Sequence, residues 1–217
     1  MTRTATKARP RTKPPQERRD ELIHAAYRLF LEQGVAPTTI EQITSRADVA
    51  KGTFYLYFSS KEDVLEALRE RFELGLLEKI QTAVATKAAE DWPGKLKAWA
   101  QAGVAGYFDL KPLHDVVYLE SHPAVGNGGL FNNRVIDHLL ELLQAGAAAG
   151  AWSIDDPHFT AVFLFNGFHG VTEAACASEK RVNRNRLTDK LERLCLRTVG
   201  LPSDGRIPSN TAAVSVK

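Results

Sequence analysis

TTIEQITSRADVAKGTFYLYFSSKEDVL, residues 38–65, is the stretch whose reading decides the fold. Thr39 with Gln42 fits a capping box, and so does Thr38 with Glu41, so a short helix starts at Ile40 and runs to about Arg46. Ala47, Asp48 and Val49 leave room only for a tight turn, and a second short helix follows over about 50–58. Ser59 with Glu62 fits another capping box and opens a long helix, whose seam of Val64, Leu65, Leu68, Phe72, Leu76, Leu77 and Ile80 reaches roughly residue 88. Upstream, Leu22, Ile23, Ala26, Leu29 and Phe30 share one face of a helix over 16–33, and Gly34 stops it. Two short helices three residues apart, behind a longer one, make a helix-turn-helix arrangement. In such an arrangement the second helix can lie in the major groove while the first crosses the backbone.

The second short helix has two unlike faces. At about 100° per residue, Ala50 and Phe58 fall within about 40° of Phe54, and these three form the expected core face. Gly52 and Leu56 lie opposite, flanked by Thr53 and Tyr55. A helix-interior glycine costs about 1 kcal/mol relative to alanine, so stability alone does not explain Gly52. A missing side chain does let a backbone come close to DNA. Tyr55 can pack on a sugar or a thymine methyl and reach phosphate with its hydroxyl, Leu56 can touch a thymine methyl, and Thr53 can bond a base edge or phosphate. Lys51, and Lys61 just past the helix, suit phosphate or guanine. Core-filling aromatics and solvated lysines are the bland alternative for any one of these residues; the set as a whole favours contact with nucleic acid.

Charge placement points the same way. Residues 1–61 hold eleven Lys/Arg and six Asp/Glu, a balance of +5, so a chain of net +2 carries −3 in the remainder. A basic front and a mildly acidic back indicate that only the front meets a polyanion. Residues 1–15 are rich in Thr, Lys, Arg, Ala and Pro and are read as a disordered basic arm. Arg9 and Arg11 in that arm could enter the minor groove, and a solvated tail is the competing expectation.

With these residues in view, 38–65 resembles the DNA-binding signature of TetR-family transcriptional regulators, and LIHAAYRLFLEQGV, residues 22–35, resembles that family's first helix. The likeness rests on the Thr39–Ile43–Ala47 spacing, Gly52, the aromatic run Phe54, Tyr55, Tyr57 and Phe58, and Lys61. It implies a homodimer with N-terminal DNA-binding domains and a larger helical domain that dimerises and binds a small effector, usually as a repressor released from its operator by ligand. Carried onto this chain, groove contacts fall on Lys51, Gly52, Thr53, Tyr55 and Leu56, and phosphate contacts on Thr38, Thr39, Tyr57 and Lys61. The family often has histidine where Tyr57 stands. The recognition helix lacks Arg, Asn and Gln, the strongest bidentate base readers, so phosphate contacts and DNA shape are expected to carry an unusual share of affinity and specificity.

The remainder reads as helices over about 92–108, 112–121, 129–149, 156–178 and 184–199, broken at Pro and Gly, with no period-two alternation. The chain is therefore expected to be all-α. Its parts are an arm (1–15), a three-helix helix-turn-helix domain (16–62), a larger C-terminal effector-binding and dimerisation domain (63–200) and a loose tail (201–217). Small residues Gly167, Gly170, Ala174 and Ser178 permit close helix approach, and Leu187, Leu191, Leu194 and Thr198 form one face of the last helix. Two such helices per chain can build a four-helix dimer bundle, with packing inside one chain as the rival use; a two-fold dimer matches a palindromic operator. Trp99, Tyr107, Phe108, Tyr118, Phe131, Phe163, Asn166 and His169 are candidates for an effector pocket, hence for an apolar or aromatic small molecule, and core packing accounts for each aromatic equally well.

Other classes find little support. Two cysteines, Cys176 and Cys195, are too few for a disulfide scaffold or a multi-cysteine zinc site. His169 and Glu173 have i,i+4 metal-ligand spacing, and His114, Asp115, Glu120 and His122 cluster, but hydrogen-bonded or surface histidines are preferred; no metal and no cofactor is expected. No catalytic motif is present, so an enzyme or a helical small-molecule carrier is the weaker alternative and a non-specific architectural DNA binder the nearer one. No run of about 18 apolar residues spans a membrane and no apolar h-region marks a secretory signal, so a cytoplasmic protein without membrane partners is expected.

Overall fold

A computed structural model describes residues 13–119, 134–178 and 182–202, and every regular element among them is helical. The helices are α1 (Pro15–Gln33), α2 (Ile40–Arg46), α3 (Lys51–Phe54), α4 (Lys61–Ala85), α5 (Trp92–Asp109), α6 (Lys111–His114), α7 (Arg134–Ala148), α8 (Pro157–Ser178) and α9 (Arg184–Thr198), with a π-helical turn at Asp115–Leu119. The described residues fall into two compact units, 13–69 with 115–119 and 70–114 with 134–178 and 182–202.

In the first unit, α1 starts with proline at its first position, where the missing N–H is no loss, and buries Leu22, Ile23, Ala26, Leu29 and Phe30. Gly34 ends it with φ 86°, a conformation glycine adopts without a Cβ penalty. The core is completed by Ile43 of α2, Phe54 and Phe58 around α3, and Val64, Leu65 and Leu68 at the start of α4, with α1 packed on α2 and α2 on α3. The three-residue turn is made by Asp48 at φ 53°, the one non-glycine with positive φ among the described residues; a short polar side chain tolerates it best.

Several local expectations change. The box at α2 is Thr39 with Gln42, not Thr38 with Glu41. The long helix is opened by Ser60 and Asp63: the Asp63 carboxylate accepts from the Ser59 amide at 2.8 Å and the Asp63 amide donates to Ser60 Oγ at 3.2 Å, so Glu62 is not the partner. That helix ends at Ala85, short of residue 88. α3 stops at Phe54, but the chain keeps winding: Tyr57 N–H donates to the Phe54 carbonyl and Phe58 N–H to the same oxygen, both at 3.0 Å. That keeps Phe54 and Phe58 on one buried face. Ala50 departs from it, because as the extended N-cap of α3 it is exposed. Where one helix over 112–121 is expected, the residues up to 119 form α6 and the π-turn, and 120–121 lie outside the described residues.

The second unit pairs α5 with α9 and α7 with α8. Leu96, Trp99, Val104, Leu139, Leu143, Leu164, Leu191 and Leu196 lie in its core. Burial raises the Cys195 thiol to about 12, so it behaves as a small apolar side chain. Trp152 Nε1 donates to the Leu143 carbonyl at 2.9 Å, which locks the ring over Gly146. A Cβ at 146 would lie 2.1 Å from that ring. Gly146→Ala should therefore lower stability by about 1–3 kcal/mol by overpacking. Urea denaturation checks this, and an unchanged midpoint contradicts it.

Candidate nucleic-acid interface

The approach to α2 is fixed by a loop tied at several points. Thr38 is buried and its hydroxyl donates to the Gly34 carbonyl at 2.7 Å. Lys61 Nζ donates to the carbonyls of Val35 (2.7 Å), Ala36 (3.1 Å) and Thr38 (2.9 Å). An ammonium has three N–H donors, and all three are spent inside the protein. The structure thus uses Thr38 and Lys61, both read from sequence as phosphate contacts, to build the loop. Thr39 stays exposed as the N-cap of α2: Gln42 N–H donates to its hydroxyl at 3.2 Å, and its own amide donates to Gln42 Oε1 at 2.8 Å.

Beyond the turn, α3 and the residues that follow it carry the face read from sequence as a groove contact. An ideal Cβ on Gly52 meets nothing within 4 Å, so nothing inside this chain requires a glycine there. Tyr55 is 52% exposed and Leu56 78% exposed, well above what their apolar surface favours in water. Phe54 holds Tyr55 edge-on at 5.6 Å between centroids and itself packs on Phe58, over which Arg19 places its guanidinium at 5.1 Å. Thr53 and Tyr57 are half-buried and Lys51 is exposed. Lys51, Gly52, Tyr55 and Leu56 are thus all exposed at this end of the helix-turn-helix, with Lys51 the one charged side chain among them.

Two ion pairs flank it that sequence reasoning missed. Lys51 pairs with the Glu41 carboxylate. Arg46 donates to both oxygens of Glu32, at 2.8 and 2.7 Å. The ammonium beside it holds Glu41 below the ordinary carboxylate range, and Arg46 does the same for Glu32. The partners are ten and fourteen residues apart, which matches no helical spacing, so nothing in the linear pattern marks them.

The candidate effector residues do not form one group. Trp99 and Tyr107 are buried in the second unit; Trp99 packs edge-on against Phe168 at 5.6 Å and its Nε1 has no hydrogen-bond partner. The Tyr107 ring packs at a tilt against His114, 4.7 Å between centroids, and lies 6.0 Å from His169. Phe108 sits under the Arg184 guanidinium, and Asn166 is half-buried and donates to the Val162 carbonyl. Tyr118 belongs to the first unit, under Arg69. Phe163 is 56% exposed and stacked on Phe159 on the outside of α8, which removes it from any internal lining. Phe131 lies outside the described residues. A groove of about 410 Å³ lined by Gln81, Trp92, Lys95, His138 and Glu141, among others, includes none of the candidates.

His114, grouped in the sequence with Asp115, Glu120 and His122, is fully buried, with Nε2 2.8 Å from His169 Nε2. Burial, with His114 alongside, keeps His169 below the ordinary histidine range, against the opposing pull of Glu173. The unfolded chain then takes up a proton before the folded one does. Stability is fully present above about pH 6.5, the ordinary histidine value, and falls as pH drops from there through the lowered folded value. Denaturation midpoints at pH 7.5 and 5.5 should show this loss, and His169→Gln should diminish it; equal acid sensitivity in the two proteins contradicts the assignment. Among the described residues no three His, Cys, Asp or Glu side chains gather to hold a metal ion, and no helix is long and apolar enough to cross a membrane.

The candidate dimer residues also divide. Leu187 and Leu191 are buried within the chain, because α9 lies on α5, so they are already used in its own core. Leu194 is 45% exposed, Ala174 is exposed, and Gly167 and Gly170 have open space where a Cβ would be.

A long helix, a capped short helix, a tight turn and a short helix with an outward apolar face form a helix-turn-helix arrangement. Residues 22–68 match the family model described as bacterial regulatory proteins, tetR family. The HTH-type transcriptional regulator HbdR of Aromatoleum sp. (strain CIB) is 50% identical over 50 residues, 23% of this chain and 22% of that protein. Matches to the curated relatives span only 17 to 32% of those relatives' length. The fold extends further. The fatty acid degradation regulator FadR from Bacillus halodurans (TM-score 0.66, 24% identity) covers 85% of this chain and 96% of its own, and SmeT in complex with triclosan (TM-score 0.67, 20% identity) covers 93% and 100%. Over residues 22–68 the chain matches that family's model, and its described residues have the all-helical fold of these regulators.

Proposed function

We propose that the protein is a ligand-responsive transcriptional regulator that binds a palindromic operator as a homodimer and, as a repressor, leaves it when a small molecule binds. One observation carries the reading: Gly52, Tyr55 and Leu56 lie together on an exposed surface that the chain's own packing does not use. In this reading Lys51, Gly52, Thr53, Tyr55 and Leu56 meet the groove, and Thr39 and Tyr57 meet phosphate. Residues 16–62 read DNA, and 63–200 dimerise and bind effector. For pairing, the exposed Phe159, Phe163, Val171 and Leu194, with open space at Gly167 and Gly170, supply an apolar surface on α8 and α9. An apolar or aromatic effector agrees with the aromatic content of the second unit and with the neighbours' names, one a triclosan complex and one a regulator of fatty acid degradation. The named relatives are regulators, so no catalytic role is proposed, and the site of action is the cytoplasm.

Selection of genomic fragments by the purified protein, followed by competition between the best fragment and random duplex, tests the reading. A regulator prefers its fragment by about 10³-fold or more. An architectural binder shows little preference, and a carrier or enzyme binds neither. Tyr55→Ala should weaken binding to the selected fragment about tenfold or more while the dimer persists in light scattering, the loss of a contact being worth about 1–3 kcal/mol. An unfolded variant would mean that Tyr55 is a core residue.

A further inference from the structure

The basic front looks different once folded. Residues 13–61 contain seven Lys/Arg and six Asp/Glu, and most of the cations are engaged within the protein. Lys13 and Arg18 meet Glu21, Arg46 meets Glu32, Arg19 covers Phe58 and Lys61 is spent on carbonyls. Between residues 47 and 60 the only Lys or Arg is Lys51, at the start of α3 next to Gly52, and its ammonium is held by Glu41 at the start of α2. Both side chains are more than half exposed, at 54% and 61%, so the pair contributes little to folding and sits where a duplex arrives.

We propose that Glu41 is a specificity-determining residue, a carboxylate that holds Lys51 and competes with duplex phosphate for it. This rests on the DNA-binding reading above. Binding to arbitrary sequence comes from neutralised phosphates and the counterions they release. On such a duplex Lys51 gains a phosphate only by leaving Glu41, and Glu41 then stands unpaired beside a polyanion. Both effects weaken non-specific binding. On the operator the demand differs. One N–H of the ammonium stays on Glu41, which leaves two more at the start of α3, beside Gly52, for a base edge. Two donors match the O6 and N7 acceptors of a guanine. Glu41 therefore restrains the cation from swinging to the nearest phosphate and leaves two N–H donors for a base, at a smaller cost to the operator complex than to a random duplex.

Full-length wild type, Glu41→Gln, Lys51→Gln and the double variant are titrated by fluorescence anisotropy against two labelled duplexes from 50 to 200 mM KCl. One duplex is random 30-bp DNA and the other is the best genomic fragment. Glu41→Gln should tighten random-duplex binding about 2- to 5-fold per half-site and steepen log K against log[salt] by about 0.9 per half-site. Binding to the selected fragment should gain less, so that the ratio of the two falls, and the gain should vanish in the Lys51→Gln background. Unchanged random-duplex binding, an equal gain on both duplexes, or a gain that survives Lys51→Gln overturns the proposal. Failure of all four proteins to bind any duplex overturns the DNA-binding reading, and this inference with it. That outcome is distinct from equal binding by wild type and Glu41→Gln.

Discussion

Gly52→Leu should leave the protein folded and abolish sequence-specific DNA binding. The position is exposed, and a Cβ there meets nothing within 4 Å, so the free protein has room for a side chain. Replacing glycine in a helix by alanine even gains up to about 1 kcal/mol, and leucine ranks close behind. The cost appears only against a duplex. A leucine at 52 holds the backbone of α3 away from the groove floor, and Lys51, Thr53, Tyr55 and Leu56 are withdrawn with it. Because both half-sites of a dimer are affected, affinity for the selected fragment should fall to the non-specific level, about 10³-fold or more. Thermal denaturation and anisotropy on the same sample separate the two effects. Destabilisation with retained binding would reverse the assignment of this face.

The second large effect is on stability. Lys61→Met should cost about 2–3 kcal/mol, because three carbonyls lose a charged donor and that of buried Thr38 has no solvent to replace it. Methionine keeps the apolar stem, so the loss reports the ammonium alone. The loop over 34–38 positions α2, so partial unfolding should begin there. The salt slope of DNA binding should hardly change, since Lys61 has no N–H left for phosphate. A phosphate contact would give the opposite pattern: unchanged stability and a slope reduced by about 0.9 per half-site.

What was legible in the sequence was local. Thr39 and Gln42 sit three residues apart, and a capping box needs only that spacing. Phe54 and Phe58 sit four apart, and one winding backbone puts them on one face. Tyr55 and Leu56 could be placed outside because helical geometry fixes direction relative to Phe54. The roles of Lys61, Glu41 and His114 were not legible, because each depends on a group that folding brings from elsewhere. Lys61 reaches carbonyls 23 to 26 residues upstream, and backbone acceptors leave no trace in side-chain patterns. His114 meets His169 across 55 residues. Leu187 and Leu191 show the limit of an amphipathic stripe: the pattern says that a face is buried, but it does not say whether the burying surface is α5 of the same chain or a second copy. Phe163 shows the converse, an aromatic whose composition fits a pocket and whose helix face turns it outward.

Hydrogen–deuterium exchange of the full-length protein, with and without the selected genomic duplex, tests the central assignment most directly. The outward surface from Lys51 to Leu56 should become protected when duplex is added, together with the start of α2 around Thr39 and Ile40, while exchange in α5 and α9 stays as it was. Unchanged exchange over 51–56, with protection gained elsewhere, would mean that this face does not meet DNA.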